Sequence, residues 1–241
     1  MKIHTHIVTL ASMTLSGCVT VQEDNTNAQH SPIDMADTRI ALGLNYIKLE
    51  QYSKARQSLE KAMKYAPHYY KSSLSLAYYF DVVGEVDKAT KLYKKALKEH
   101  PNNGNVYNNY GTFLCKQGEF QRADVLFNQA IDKPNYYAVA ETYENAGLCA
   151  LKARKSHQAK YYFSKSVEHQ PLRPISSLQL AALEIEQDQL HQARLRLLDF
   201  SQRYGYQRNN LVLLIELERK SENWMLVNKY QALLEQVNVS K

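Results

Sequence analysis

The residues best suited to nucleophilic, redox or metal chemistry in this chain are its three cysteines and eight histidines. They do not assemble into a catalytic spacing. No CxxC, HExxH, GxSxG, P-loop or Rossmann glycine run occurs, so the patterns that build thiol-redox, zinc, acyl-transfer and nucleotide sites are missing. His68, His100, His157, His169 and His191 are scattered, with no second histidine or cysteine at helix-face spacing to complete a metal site. No enzyme activity, metal or cofactor is therefore expected. The cysteines are more informative. Cys18 closes a segment that opens with Lys2, runs through mostly apolar residues 7–15 and ends in Ser16-Gly17, the layout of a secretory signal. Cys115 and Cys149 lie deep in the remaining chain, and their meaning depends on the elements that carry them.

The composition is that of a folded chain: 241 residues, 44% hydrophobic and 22% charged, with 8 Gly and 6 Pro. A net charge of +6 is a mild excess. Lys94, Lys95 and Lys98 are interspersed with Glu99, as on a solvated outer face, and the basic stripe that tracks nucleic acid is not found. No apolar run approaches the ~18 residues of a membrane-spanning helix, so attachment to a membrane must come from elsewhere. The tetrad Leu15-Ser16-Gly17-Cys18 resembles the lipobox of bacterial lipoproteins. That resemblance implies a signal peptide over 1–17, cleavage before Cys18, and lipid on its thiol and its amine. At ~0.8 kcal/mol per buried CH₂, three acyl chains make a lasting anchor. The alternative is a cleaved signal with an incidental cysteine. Val19 rather than Asp follows Cys18, which for such lipoproteins implies sorting to the outer membrane. Residues 18–35, rich in Gln, Asn, Asp, Glu and Thr, are expected to be a flexible tether.

The rest is a repeat. Pro67 and Pro101 are one ~34-residue period apart, and Pro171 follows after two periods and a short insertion. Placing these prolines at repeat position 32 puts small residues at position 8 (Gly43, Ala77, Gly111, Gly147, Ala181). Alanines then recur at position 20 (Ala55, Ala89, Ala123, Ala159, Ala193), and Ala62, Ala96 and Ala130 fall at position 27. This is the tetratricopeptide pattern, in which small residues let two antiparallel helices approach and bulk at positions 7, 11 and 24 fills the seam. It predicts an all-α fold, a right-handed α-solenoid of six helix-turn-helix repeats over 36–241. The units are 36–69, 70–103, 104–139, 140–173, 174–207 and 208–241, with the insertion near Pro134-Asn135. The sixth keeps little beyond Leu211, Leu214 and Trp224, as a terminal capping unit would. Tyr46, Tyr93 and Tyr110 fall at core positions of the repeat rather than forming a cofactor box.

In such an array the first helix of each repeat lines a concave wall, chiefly at positions 2, 5, 9, 12 and 13. The first repeat offers Asp37, Ile40, Leu44, Ile47 and Lys48 there, and three large aliphatics on an open face would mark an interaction site. With Leu74 and Tyr78 of the second repeat, Ile40, Leu44, Ile47 and Lys48 form the expected partner groove. The alternative is that Ile33 and Met35 cover this patch, or that it packs within the repeat. The third and fourth repeats are more polar, with Asn105, Asn108, Thr112 and Lys116, then Glu141, Glu144, Leu148, Leu151 and Lys152. A second apolar patch is expected at Ile175, Leu178 and Ile185. Cys115 and Cys149 fall on the first helices of neighbouring repeats. In a compartment that permits disulfides they are placed either to pair or to remain two buried thiols.

The stretch NNYGTFLCKQGEFQRADVLFNQA (108–130) with NAGLCA (145–150) resembles the PilW/PilF group of type IV pilus biogenesis lipoproteins. The resemblance covers lipobox, tether and array. It implies a pilotin: an outer-membrane lipoprotein, anchored through Cys18 and facing the periplasm, that binds secretin (PilQ-like) subunits in its concave groove and aids their localisation and multimerisation. It further implies that Cys115 and Cys149 are paired, and that no nucleic acid or small-molecule substrate is involved. The repeat alone would equally suit a general periplasmic interaction module serving another envelope machine.

Overall fold

The computed structural model describes residues 31–239 and, among them, twelve helices and no strand. The expected signal peptide, Cys18 and most of the tether lie outside the described residues. The helices form six hairpins: α1 (Pro32–Lys48) with α2 (Tyr52–Tyr65), α3 (Tyr70–Val82) with α4 (Val86–Glu99), and α5 (Gly104–Lys116) with α6 (Phe120–Ile131). Then come α7 (Val139–Lys152) with α8 (Ser156–His169), α9 (Pro174–Glu186) with α10 (Leu190–Tyr204), and α11 (Arg208–Lys220) with α12 (Trp224–Val239).

Helix α1 starts ahead of the expected tether boundary, so residues 32–35 are helical. Ser31 caps it: its hydroxyl accepts from the Asp34 N–H, the Asp34 side chain reaches back to the Ser31 N–H, and Pro32 sits at the first helical position. This capping box satisfies two otherwise orphaned donors and outweighs the polar composition around it.

The first, third and fourth seams close because one partner lacks a side chain. A Cβ on Gly43 would lie 2.6 Å from Leu59, one on Gly111 2.9 Å from Phe127, and one on Gly147 2.7 Å from Phe163. Position 8 thus faces position 24 across every one of these hairpins, and the alanines at position 20 are fully buried. The insertion near Pro134 has its own lock. Tyr136 covers the start of α5, where a Cβ on Gly104 would stand 2.5 Å from its ring, and its hydroxyl meets that of Thr142 at 2.6 Å.

Successive first helices touch one another all along the stack: α1 with α3, α3 with α5, α5 with α7, α7 with α9, and α9 with α11. Second helices pack on the following first helix while their backbones stay apart from one another; α6 and α8 meet through side chains, where Asp124 accepts from Gln158 and Tyr162. The second helices therefore trace the longer, outer arc, and the first helices line the inner wall. Two apolar cores result, one from Ala36 to Leu183 and one from Ala181 to Tyr230, and they meet at α9.

Candidate partner-binding site

The inner wall differs from the expected one at its most apolar point. Ile40, Ile47 and Leu74 are buried, and Leu44 is half-buried and packed on the core. The open groove predicted at the first repeat is corrected accordingly: α3 lies against α1, and positions 5 and 12 of the first helix point into that contact. The same holds further along, where Asn108 and Glu144 at position 5 and Asp81 and Cys115 at position 12 are buried. In the second predicted patch Ile185 is fully buried and Leu178 half-buried, which leaves Ile175 exposed. Of the six residues expected in the first groove, Lys48 and Tyr78 are exposed, Tyr78 to 45%. Positions 9 and 13, not 5 and 12, make the free wall.

Those positions converge in the second to fourth repeats. Tyr78 and Val82 of α3, Asn109, Thr112 and Lys116 of α5, and Lys152 of α7 line a cavity of about 370 Å³, floored by Tyr93 and Phe113. A smaller one of about 100 Å³ adjoins it, sharing Thr112 and Lys152 and adding Asn145 and Leu148 above the two cysteines. Together they form one channel along the inner wall. Thr112, Lys116, Leu148 and Lys152 stand at positions 9 and 13 of the register, so the sequence signal for them was present but diluted by the polarity of Thr112, Lys116 and Lys152.

The channel floor is rigid. Cys115 and Cys149 form a disulfide with a Cα–Cα distance of 5.8 Å, which joins α5 to α7. Beside it Asn145 donates to Asn108 Oδ1 at 3.1 Å. The Tyr93 ring stacks on Tyr110 at 5.3 Å and tilts against Phe113 at 4.9 Å, and burial pushes the Tyr93 hydroxyl above the usual phenol range.

Electrostatically the channel is basic at its rim. Asp81 is buried and accepts from Lys116 Nζ at 3.1 Å and from Gln117 Nε2 at 3.3 Å. Its charge is thereby spent on Lys116. Lys152 is exposed and has no acidic partner among the described residues. Glu144 is buried between the fourth and fifth repeats. Burial alone would raise its pKa, but hydrogen bonds from Arg173 and Ser176 and the Arg173 charge hold it below the ordinary carboxylate range. Arg173 Nη2 lies 2.5 Å from Oε1, and the Ser176 N–H and hydroxyl reach Oε2 at 3.1 and 2.7 Å. Glu144 is thus a structural clasp, not a free acid.

No group of three His, Cys, Asp or Glu able to hold a metal occurs among the described residues. None of the described helices is long and apolar enough to cross a membrane. What remains is a rigid channel of mixed apolar and cationic character, suited to side-chain recognition.

The tetratricopeptide repeat profile matches residues 40–104 and again 92–124. Over 224 residues, 92% of this chain and 89% of the relative, the sequence is 31% identical to the type IV pilus assembly protein PilF of Pseudomonas aeruginosa. The chain belongs to the PilF/PilW family. The solved PilF structure from Pseudomonas aeruginosa superposes with a TM-score of 0.72 at 29% identity, covering 87% of this chain and 95% of that one. A crystal structure of PilW, described as a widely conserved type IV pilus biogenesis factor, gives a TM-score of 0.71 at 25% identity, covering 83% of this chain and 92% of that one. The relationship to PilF therefore spans nearly the full length of both chains.

Proposed function

We propose that this chain is a non-catalytic assembly factor of type IV pilus biogenesis, a pilotin tethered by lipid on Cys18 to the outer membrane, facing the periplasm. It binds secretin subunits and aids their localisation and multimerisation. The observation that carries the reading is the near full-length relationship to PilF, joined to an inner channel whose chemistry is recognition rather than catalysis. Tyr78, Val82 and Leu148 offer apolar surface to a guest. Asn109, Asn145 and Thr112 sit where an extended backbone could exchange hydrogen bonds, and Lys152 favours an acidic side chain. A floor fixed by a disulfide lowers the ordering cost of binding.

Deletion of the protein is expected to abolish heat-resistant secretin oligomers, read by gel; normal oligomers in the deletion strain would overturn the reading. Cys18→Ala is expected to release the chain from the membrane fraction and to mislocalise secretin.

A further inference from the structure

A second recess opens on the outer, second-helix side of the stack, away from the channel. It lies between α4 and α6, which do not touch, and holds about 320 Å³. Leu97 of α4 and Val125 and Leu126 of α6 wall it, over the buried Tyr110 and Leu114 of α5. The apolar surface is open to solvent, since Val125 is 55% exposed. It is also the start of a row. Val125, Tyr161 and Leu195 occupy the same register position in three successive repeats and are 55%, 54% and 58% exposed. In the other three repeats Gln57, Lys91 and Lys229 stand there. A merely solvated face gives no reason for aligned apolar residues.

Beside the recess, Lys91, Lys94 and Lys98 run along the exposed face of α4, at the three- and four-residue spacing that stacks side chains on one side of a helix. The other two lysines of that helix are neutralised, Lys88 by Glu85 and Lys95 by Glu99. The acids on the facing element are also occupied: Asp124 accepts from Gln158 and Tyr162, and Glu119 pairs with Arg122. Lys91, Lys94 and Lys98 have no such partner among the described residues.

We propose that this recess and its lysine rim form a second docking surface, which takes an acidic amphipathic helix of a partner protein. Apolar side chains of the guest enter between Leu97 and Val125, and its carboxylates align along Lys91, Lys94 and Lys98. The charge complement sets the sign of the guest. The recess sets its class, because a layer of anionic lipid headgroups would meet the lysines but leave the cavity unfilled. The surface is separate from the channel, so both can be occupied together.

The test is fluorescence anisotropy of the purified full chain with a dye-labelled amphipathic helical peptide that carries leucines on one face and glutamates beside them. Saturable binding is expected. It should weaken by about tenfold or more in Val125→Glu and in the double variant Lys94→Glu, Lys98→Glu, and persist in Tyr78→Ala, which alters only the channel. All three outer positions are exposed, and circular dichroism checks that helicity is kept. Absence of saturable binding, equal binding of the same peptide with lysines for glutamates, or variants within about twofold of the parent would overturn the proposal. So would lysine-dependent capture by phosphatidylglycerol vesicles with no peptide binding, which would assign the surface to lipid.

Discussion

The third and fourth repeats and the last two are built on one hairpin but joined by different chemistry. Between the third and fourth, Cys115 and Cys149 are covalently linked, just beyond the Tyr93, Tyr110 and Phe113 rings that join the second and third. Between the fifth and sixth, Glu218 is almost wholly buried and held by Arg194 through two contacts of 2.9 and 3.0 Å, with Arg194 also donating to Ser221 at 2.9 Å. Within the fifth, Arg196 grips the buried Glu184 at 3.0 and 2.8 Å. The first junction resists salt and acid but answers to reductant. The last is indifferent to redox state but intolerant of losing one charged partner. One scaffold can therefore be stiffened where a guest sits and held by replaceable contacts at its end.

The largest expected effect comes from breaking the covalent side of this contrast. Replacing both cysteines with alanine opens a link across 34 residues and should cost about 3–4 kcal/mol on the loop-entropy account. Hydrogen exchange should show the loss in the third and fourth repeats and leave α11 and α12 unchanged. Overpacking comes next: Gly147→Leu drives a side chain into the Phe163 ring and should cost about 3 kcal/mol in denaturant titration. At the other end, Glu218→Ala strands Arg194, which is partly solvated, and should cost about 2 kcal/mol. That loss should appear in α10 to α12 alone; a uniform loss across the array would erase the distinction between the two regions.

Acid probes the boundary between them. The folded pKa of Glu144 lies below its ordinary value, so its contribution is complete above the ordinary carboxylate range and fades as pH falls through the folded value. Glu144→Gln should remove that acid dependence, read as a flattened melting-temperature profile between about pH 5 and pH 3. The smallest effect on stability is expected from Lys152→Glu. This exposed residue should change stability by less than about 0.5 kcal/mol, yet weaken capture of an acidic guest by the channel.

The small residues at positions 8, 20 and 27 made the hairpins legible in the sequence, because a seam that tolerates only Gly or Ala leaves its mark on composition. The meeting of Cys115 and Cys149 was legible because the register places both on the first helices of neighbouring repeats. The start of α1 was written in Ser31, Pro32 and Asp34 but hidden by the polar run they close. The inner wall was read less well. Whether Ile40 and Ile47 face solvent depends on how closely α3 approaches α1, a tertiary distance that no local pattern encodes. Conversely, Thr112 and Lys152 resemble ordinary surface residues until two adjacent repeats place them on one channel. The open row at Val125, Tyr161 and Leu195 is visible only by aligning the repeats and then knowing that the backbones of the second helices stand apart.

That separation has a mechanical consequence. A stack whose backbones pack along its inner edge, and which is joined along its outer one between α6 and α8 by side-chain hydrogen bonds, bends most easily by fanning, as a book opens from its spine. The disulfide stitches one leaf of that spine to the next, so elastic give is displaced toward the two ends while the middle keeps its curvature. A load drawn through the inner channel would meet a stiff seat carried on compliant shoulders.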